Sequence, residues 1–359
     1  MKRRTHQTGF SLIEILVSTV VAMFATLVVM QAFAVSEGYR RTATSGGDAS
    51  FSGTLGTYVL DRDLRIAGYG INNANYLGCQ VSGSDSGVTP AAAIGPFTLA
   101  PVQIAFGGNA QQPDSITVIS SNTDMMPGVI NLTTGLASPT SDYVVTDAYG
   151  VNQGDVLLLA QPGQPCTLAE ATNTPTNGAT NQNTIKHAAA RYNPAGGMGP
   201  NYSASAVVMD MGPAPIANQY WIQNNPALPN FDTLMVNQLI ADQASQPVAA
   251  NIVMLKAMYG IDNGTGTVGA WTVAAPATWQ SVLAVRVVLV ARSAKPEKQN
   301  SAGQCVTTLA SPSVTWDDGT VTQLDLSGTA APTEPGWQCY RYRVFHVTSS
   351  VRNLIWTPS

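Results

Sequence analysis

A chain of 359 residues is long enough for one large domain or two smaller ones, each with a buried core. Only 11% of the residues are charged and the polar remainder is rich in Asn, Thr, Ser, Gln and Gly, so most of the surface must be neutral. With 17 basic against 21 acidic residues, and only small basic groupings at Arg40-Arg41 and at Arg341, Arg343 and Arg352, the composition excludes the usual footprint of a nucleic-acid binder.

The first element is an apolar helix. Residues 1–9, MKRRTHQTG, carry three positive charges, whereas residues 10–35 contain a single charge, Glu14. That run is long enough to cross a bilayer. The basic residues ahead of it predict a cytoplasmic N-terminus with the rest of the chain on the far side. An ordinary secretory signal is the competing reading, because Ala32-Phe33-Ala34 has the A-x-A form of a cleavage site. The apolar run is too long for such a signal, and a carboxylate near its start would weaken it.

The segment Gly9-Phe10-Ser11-Leu12-Ile13-Glu14 resembles the processing site of type IV prepilins and type II secretion pseudopilins. The resemblance implies that residues 1–9 form a leader peptide. It also implies cleavage after Gly9 and N-methylation of Phe10 by a membrane prepilin peptidase/methyltransferase. Losing Lys2, Arg3 and Arg4 from the 17 basic residues would leave 14 against 21 acidic ones. An ionised carboxylate inside a bilayer is expensive, which makes Glu14 a functional candidate by default. In the family its partner is the N-terminal amine of a neighbouring subunit, so Phe10 and Glu14 would together set filament register. Leaving either charge unpaired costs on the order of several kcal/mol.

Helical sequence continues past the membrane run. Only Gly46-Gly47 interrupts it before Gly68-Tyr69-Gly70, so one helix is expected from about residue 10 to about 67, roughly 85 Å long. Residues 10–35 would lie in the membrane and 36–70 outside it. Each Gly of the pair should soften the helix by about 1 kcal/mol. Phe51, Leu55, Tyr58, Val59 and Ile66 share one face at 100° per residue, interrupted by Arg62, while Leu60, Leu64 and Ala67 fall near the opposite one. Two apolar faces call for two burial partners. A helix wholly buried in its own domain is the alternative. No proline occurs between residues 10 and 67; major pilins commonly carry a helix-kinking one, so the chain departs from the major-subunit pattern.

From residue 71 to 359 the pattern changes to alternation and short apolar runs, which predicts a β-rich globular domain. Strands are expected at 115–120, 143–148, 155–161, 206–211, 219–223, 251–261, 280–293 and 340–351, with turn-rich loops at 170–184 and 294–304. The nearly continuous apolar run 280–293 should be covered on both faces, by the helix on one side and loops on the other. Arg286 within it reads as a paired structural arginine. Cys79, Cys166, Cys305 and Cys339 all lie beyond the apolar run and form no C-x-x-C pair, which favours disulfides over metal or free thiols. Three connectivities are possible. The preferred one joins Cys305 to Cys339 at the base of a long loop, contributing roughly 3–4 kcal/mol by loop closure, and leaves Cys79 with Cys166.

LDRDLRIAGYG at 60–70, GDVLLLAQ at 154–161, NIVMLKAMYGID at 251–262, WQSVLAVRVVLVARS at 279–293 and YRYRVFHVTSSVRNLIW at 340–356 resemble minor pilins of the PilW type. The resemblance implies an α+β, type IV pilin-like fold: a long N-terminal helix on an antiparallel sheet, with large loop-rich β insertions. It implies a bacterial inner-membrane protein that passes to the pilus, helps prime assembly at or near its tip, and meets other minor pilins, the major pilin and a tip adhesin. A type II secretion minor pseudopilin and a pilus-associated adhesin or ligand-binding subunit are the alternatives. Segments 71–150 and 294–338 match nothing.

Three chemical-looking features weigh little. Gly264-Thr265-Gly266-Thr267-Val268-Gly269 satisfies G-x-G-x-x-G, but Trp271 and Pro276 stand where a phosphate-binding helix would begin, so a hairpin turn is expected. Asp262-Asn263-Gly264 offers a calcium ion one charged side chain where six or more oxygens are wanted. His187 and His346 belong to no catalytic motif and read as structural. No cofactor, metal or enzymatic activity is expected.

Overall fold

The computed structural model describes residues 11–71, 73–124, 128–176, 182–228, 231–241, 244–330, 334–351 and 353. Residues 1–9, expected to form a leader, and Phe10 lie outside the described residues. The chain divides into two compact units, Met1–Asp48 and Ala49–Ser359. Helix α1 (Leu12–Ile66) contributes to both.

In the first unit α1 is preceded by Ser11, whose Oγ accepts the Glu14 N–H at 3.2 Å. Hydroxyls in the apolar run are satisfied within the helix: Ser18 Oγ donates to the Glu14 carbonyl at 2.8 Å, and Thr19 and Thr26 donate to the carbonyls of Leu16 and Met23, both at 2.8 Å. Such self-sufficiency suits a surrounding without water. Leu12–Arg40 contains an 18-residue window of mean hydropathy 2.4 and is exposed on all sides, so by length and composition it is compatible with a single membrane pass. The helix runs through Gly46 and Gly47 without a break.

The second unit is largely β. Strands β1 (Gln80–Asp85), β2 (Ala92–Thr98), β3 (Val102–Ala105), β4 (Ser115–Ser120), β5 (Val129–Asn131) and β6 (Tyr143–Val144) occupy its first part. Next come β7 (Val156–Ala160), β8 (Cys166–Glu170), β9 (Thr184–Ile185), β10 (Val207–Asp210), β11 (Ile216–Gln223), β12 (Thr233–Gln238) and β13 (Gln246–Ala250). After these follow β14 (Ile252–Asp262), β15 (Val268–Thr272), β16 (Val282–Arg292), β17 (Ser313–Thr315), β18 (Val321–Gln323) and β19 (Tyr342–Ser350).

They form a six-stranded sheet ordered β2-β1-β8-β7-β10-β5, a five-stranded sheet ordered β13-β12-β11-β4-β3 and a four-stranded sheet ordered β15-β14-β16-β19, with small pairs β17-β18 and β6-β9. Pairing is antiparallel except between β1 and β8. The long strands β14 and β16 are rich in Val, Ile and Leu, side chains that pack well on a pleated, buried surface.

The cores explain the layering. One cluster joins Leu60, Leu64 and Ala67 of α1 to both the five-stranded sheet (Ile116, Tyr220, Leu234) and the four-stranded sheet (Leu255, Val287, Leu289). A second joins Ile119 and Ala217 of the five-stranded sheet to Val81, Leu158 and Met209 of the six-stranded one. A third covers the far side of the six-stranded sheet. The fourth sets Val314, Trp316, Leu324 and Leu326 against Val288 and Val290 of β16. Both faces of β16 are therefore covered, and the cover on its second face comes from the 294–338 insertion.

Two expectations need correction. The run expected at 143–148 is a strand only over Tyr143–Val144, with an isolated bridge from Leu132 to Val145. Segment 71–150, for which the sequence offers one strand besides that run, holds six strands and completes both larger sheets.

Candidate functional site

The part of α1 in the second unit has two unlike faces. Ala49, Ser52, Gly53, Gly56, Leu60, Asp63, Leu64 and Ala67 recur every three or four residues and are buried. On the other side Phe51 is 72% exposed, Tyr58 66%, and Leu55 and Ile66 are also open. This overturns the reading of a helix wholly buried in its own domain: one apolar stripe is covered by the chain's own sheets and the other is bare.

Small residues let the helix sit close to those sheets. A Cβ added to Gly56 would stand 3.1 Å from Leu289 Cδ1 and 3.2 Å from Leu234 Cδ2, and one added to Gly53 would run into the Phe345 ring. In this stretch glycine's role is to make room.

A buried acid fixes the contact. Asp63 is fully buried, and its Oδ2 accepts the Tyr220 hydroxyl at 2.5 Å and the Asn218 amide at 2.8 Å, both from β11. Its Oδ1 accepts Arg62 Nε at 2.9 Å. Burial, together with the adjacent Asp63 charge, pushes the Tyr220 phenol up, so the hydroxyl keeps the proton it donates.

The helix end is built from three directions. Gly68 has φ of +80° and its N–H donates to the Ile119 carbonyl at 2.8 Å, while the Ser121 N–H donates to the Tyr69 carbonyl at 2.7 Å. Asn353 Nδ2 donates to the Ala67 carbonyl at 2.9 Å and to that of Ile66 at 3.3 Å. Carbonyls that a helix leaves unpaired at its C-terminus are thus satisfied by the C-terminal segment.

Glu14 lies in the first turn of α1, in the first unit, and among the described residues no basic group is within ion-pair distance of it. Gly9 and Phe10 lie outside the described residues. Cys79 is bonded to Cys166, with Cα atoms 5.8 Å apart, which ties the entry of β1 to β8. Cys305 is bonded to Cys339, with Cα atoms 4.7 Å apart, across the insertion.

Two buried arginines of β16 hold that insertion. Arg286 donates to Asp318 at 2.9 Å and lies over the rings of Trp271 (3.8 Å) and Trp316 (4.6 Å). Arg292 binds Glu334 through two bonds of 3.0 Å and has its Nη2 2.7 Å from Asp232. Burial pushes Asp232 up to about 7; Arg292 opposes that and Glu334 adds to it.

The G-x-G-x-x-G run is the β14–β15 hairpin. Asn263 N–H donates to the Thr267 carbonyl at 3.0 Å, and Asp262 Oδ1 accepts the N–H groups of Gly264 and Gly266 at 3.0 and 2.9 Å. A strand follows, not a helix. His187 stacks on Tyr143 at 4.0 Å and bonds the Ser141 carbonyl at 2.7 Å, and His346 meets Trp316 edge-on. Both are packing residues.

The sequence pattern passed over Gly53, Gly56 and Asp63. Their three- and four-residue spacing with Leu60 and Leu64 was the available signal, hidden because none of the three is apolar enough to mark a core.

The model of the type IV pilus-assembly protein W family matches residues 219–353, a span from β11 to the Asn353 cap, so this part of the chain is of PilW type and relates the protein to type IV pilus assembly. Neither a curated protein nor a solved structure matches the chain.

Proposed function

We propose that the chain is a minor pilin. In this reading it is cleaved after Gly9, methylated on Phe10 and held in the inner membrane with its N-terminus cytoplasmic. It then joins the helical bundle at or near the pilus tip, where it helps prime assembly. Glu14 pairs there with the N-terminal amine of a neighbouring subunit, because an ion in an apolar bundle is tolerated only with a partner.

The observation that carries the reading is the bare stripe Phe51, Leu55, Tyr58 and Ile66, on a helix whose opposite stripe is fully packed. A row of large apolar side chains left open on a stable element marks a protein contact. Other minor pilins and the major pilin are the partners that would bury it, and the PilW-type match supports a pilus over a secretion system.

Mass spectrometry of the native protein should find methylated Phe10 as its first residue. Glu14→Ala and Tyr58→Glu should each leave the protein in the membrane but lower its recovery with sheared pili. A native chain that keeps residues 1–9, or variants recovered with pili at the wild-type level, would overturn the proposal.

A further inference from the structure

Strand alternation leaves one face of the five-stranded sheet turned away from α1. On the helix side lie Val102 and Ile104, Ile116 and Val118, and Tyr220. The residues between them, with Asn237 of β12, form a row across the sheet: Gln103 opposite Thr117, Thr117 opposite Gln219, and Gln219 opposite Asn237. One row further along, Ile119 and Ala217 close against the six-stranded sheet. The two sheets meet at that apolar row and part at the polar one.

The gap is a cleft of about 450 Å³ with Gln80, Phe97 and Thr98 on its other wall. That size falls in the range of small-ligand sites, about 300–1,000 Å³. None of the described residues lining it carries a charge. Gln80 is held by Thr98 at 3.0 Å, and Gln238 is held by the Pro215 carbonyl at 2.9 Å. By contrast, the side chains of Gln103, Thr117, Gln219 and Asn237 make no hydrogen bond to any described residue. Four sets of donors and acceptors therefore face the cleft uncommitted, spaced by the strand separation of about 4.8 Å.

We propose that this cleft binds a neutral oligosaccharide, whose successive hydroxyls take up the free groups of Gln103, Thr117, Gln219 and Asn237. An anion would find no cation there, and a cation no carboxylate. An apolar ligand would strand four polar groups without partners, which disfavours it. An extended peptide satisfies its main chain along a strand edge, whereas this row runs across four strands and offers side chains only. The inference does not depend on filament incorporation.

The test uses the full chain in nanodiscs free of glycolipid and of sugar-based detergent. Saturation-transfer NMR and calorimetry are run with maltohexaose, chitohexaose and galactohexaose, with sialyllactose as a charged comparison and a Gly/Ser/Thr decapeptide as the peptide comparison. At least one neutral hexasaccharide should bind. Affinity should fall roughly tenfold or more in Gln219→Ala/Asn237→Ala, since the hydrogen bonds of two side chains to the sugar are lost. Ala105→Trp, at an exposed position on the same face, should block the cleft, and Gln164→Ala in the β7–β8 turn should bind as wild type. Binding to none of the three hexasaccharides would overturn the proposal. So would equal binding by the double variant, or preference for sialyllactose or the peptide.

Discussion

Replacing Asp63 with Ala tests whether one buried carboxylate holds α1 to the body. The change leaves the buried Tyr220 hydroxyl and the half-buried Asn218 amide without their acceptor. Each unmet group costs roughly 1–3 kcal/mol, so Asp63→Ala should destabilise by about 3–5 kcal/mol. Tyr220→Phe removes one donor and leaves the carboxylate with Asn218 and Arg62, for a cost of about 1.5–3 kcal/mol. The double variant should lose less than the sum, with a coupling of about 1.5–3 kcal/mol. Asp63→Asn keeps an acceptor for Tyr220 but sets a second amide against Asn218, so it should fall between wild type and alanine. Urea unfolding of the full chain in nanodiscs, followed by tryptophan fluorescence, measures all four. A loss below about 1 kcal/mol for Asp63→Ala with no coupling to Tyr220 would refute the argument.

Gly53→Ala should destabilise by about 1–3 kcal/mol because its methyl group meets the Phe345 ring, whereas Gly47→Ala, with open space around it, should stabilise by up to about 1 kcal/mol; thermal melts of the two variants would coincide if the helix did not approach the sheet at Gly53. The Cys79–Cys166 bond closes a separation of 87 residues and Cys305–Cys339 one of 34. Serine pairs should therefore cost about 4–5 and 3–4 kcal/mol respectively, and denaturation midpoints should rank the first pair as the more damaging. Burial pushes the Asp155 carboxyl up to about 6 against a pull from the Asn152 N–H, with Asp210 and Asp124 adding to the rise. The native state then holds more protons than the unfolded one between about pH 4 and 6, so this group's contribution to stability falls as pH rises through that window and stays low above it. Asp155→Asn should flatten the slope and be less costly at pH 8 than at pH 5, read from urea midpoints at the two values.

Much of the helix was legible because its signals are local. An apolar run without proline, a 3.6-residue period and glycines at its end lead to α1 and its two unlike stripes. The continuous Val and Leu of β16 likewise announced a strand covered twice. Strands β1, β13 and β15 were not legible: QVSGSD, QPVAA and VGAWT are short, polar or interrupted, and their pairing depends on the neighbouring strands that the fold brings to them. Arg292 reads as the charged end of a strand until Glu334 arrives from 42 residues away.

Sequence alone therefore determined that this chain carries an apolar N-terminal helix with a single acid, a helix continuing into a β-rich body, and a PilW-like set of core strands. The first two follow from composition and period, which neighbouring residues carry between them, and the third rests on resemblance to a known family. Only the tertiary structure decided that Asp63 meets Asn218 and Tyr220, 155 and 157 residues onward, that Gly53 and Gly56 make room for the sheets, and that Gln103, Thr117, Gln219 and Asn237 share one row. Each depends on strand register, which long-range pairing sets and no local pattern encodes.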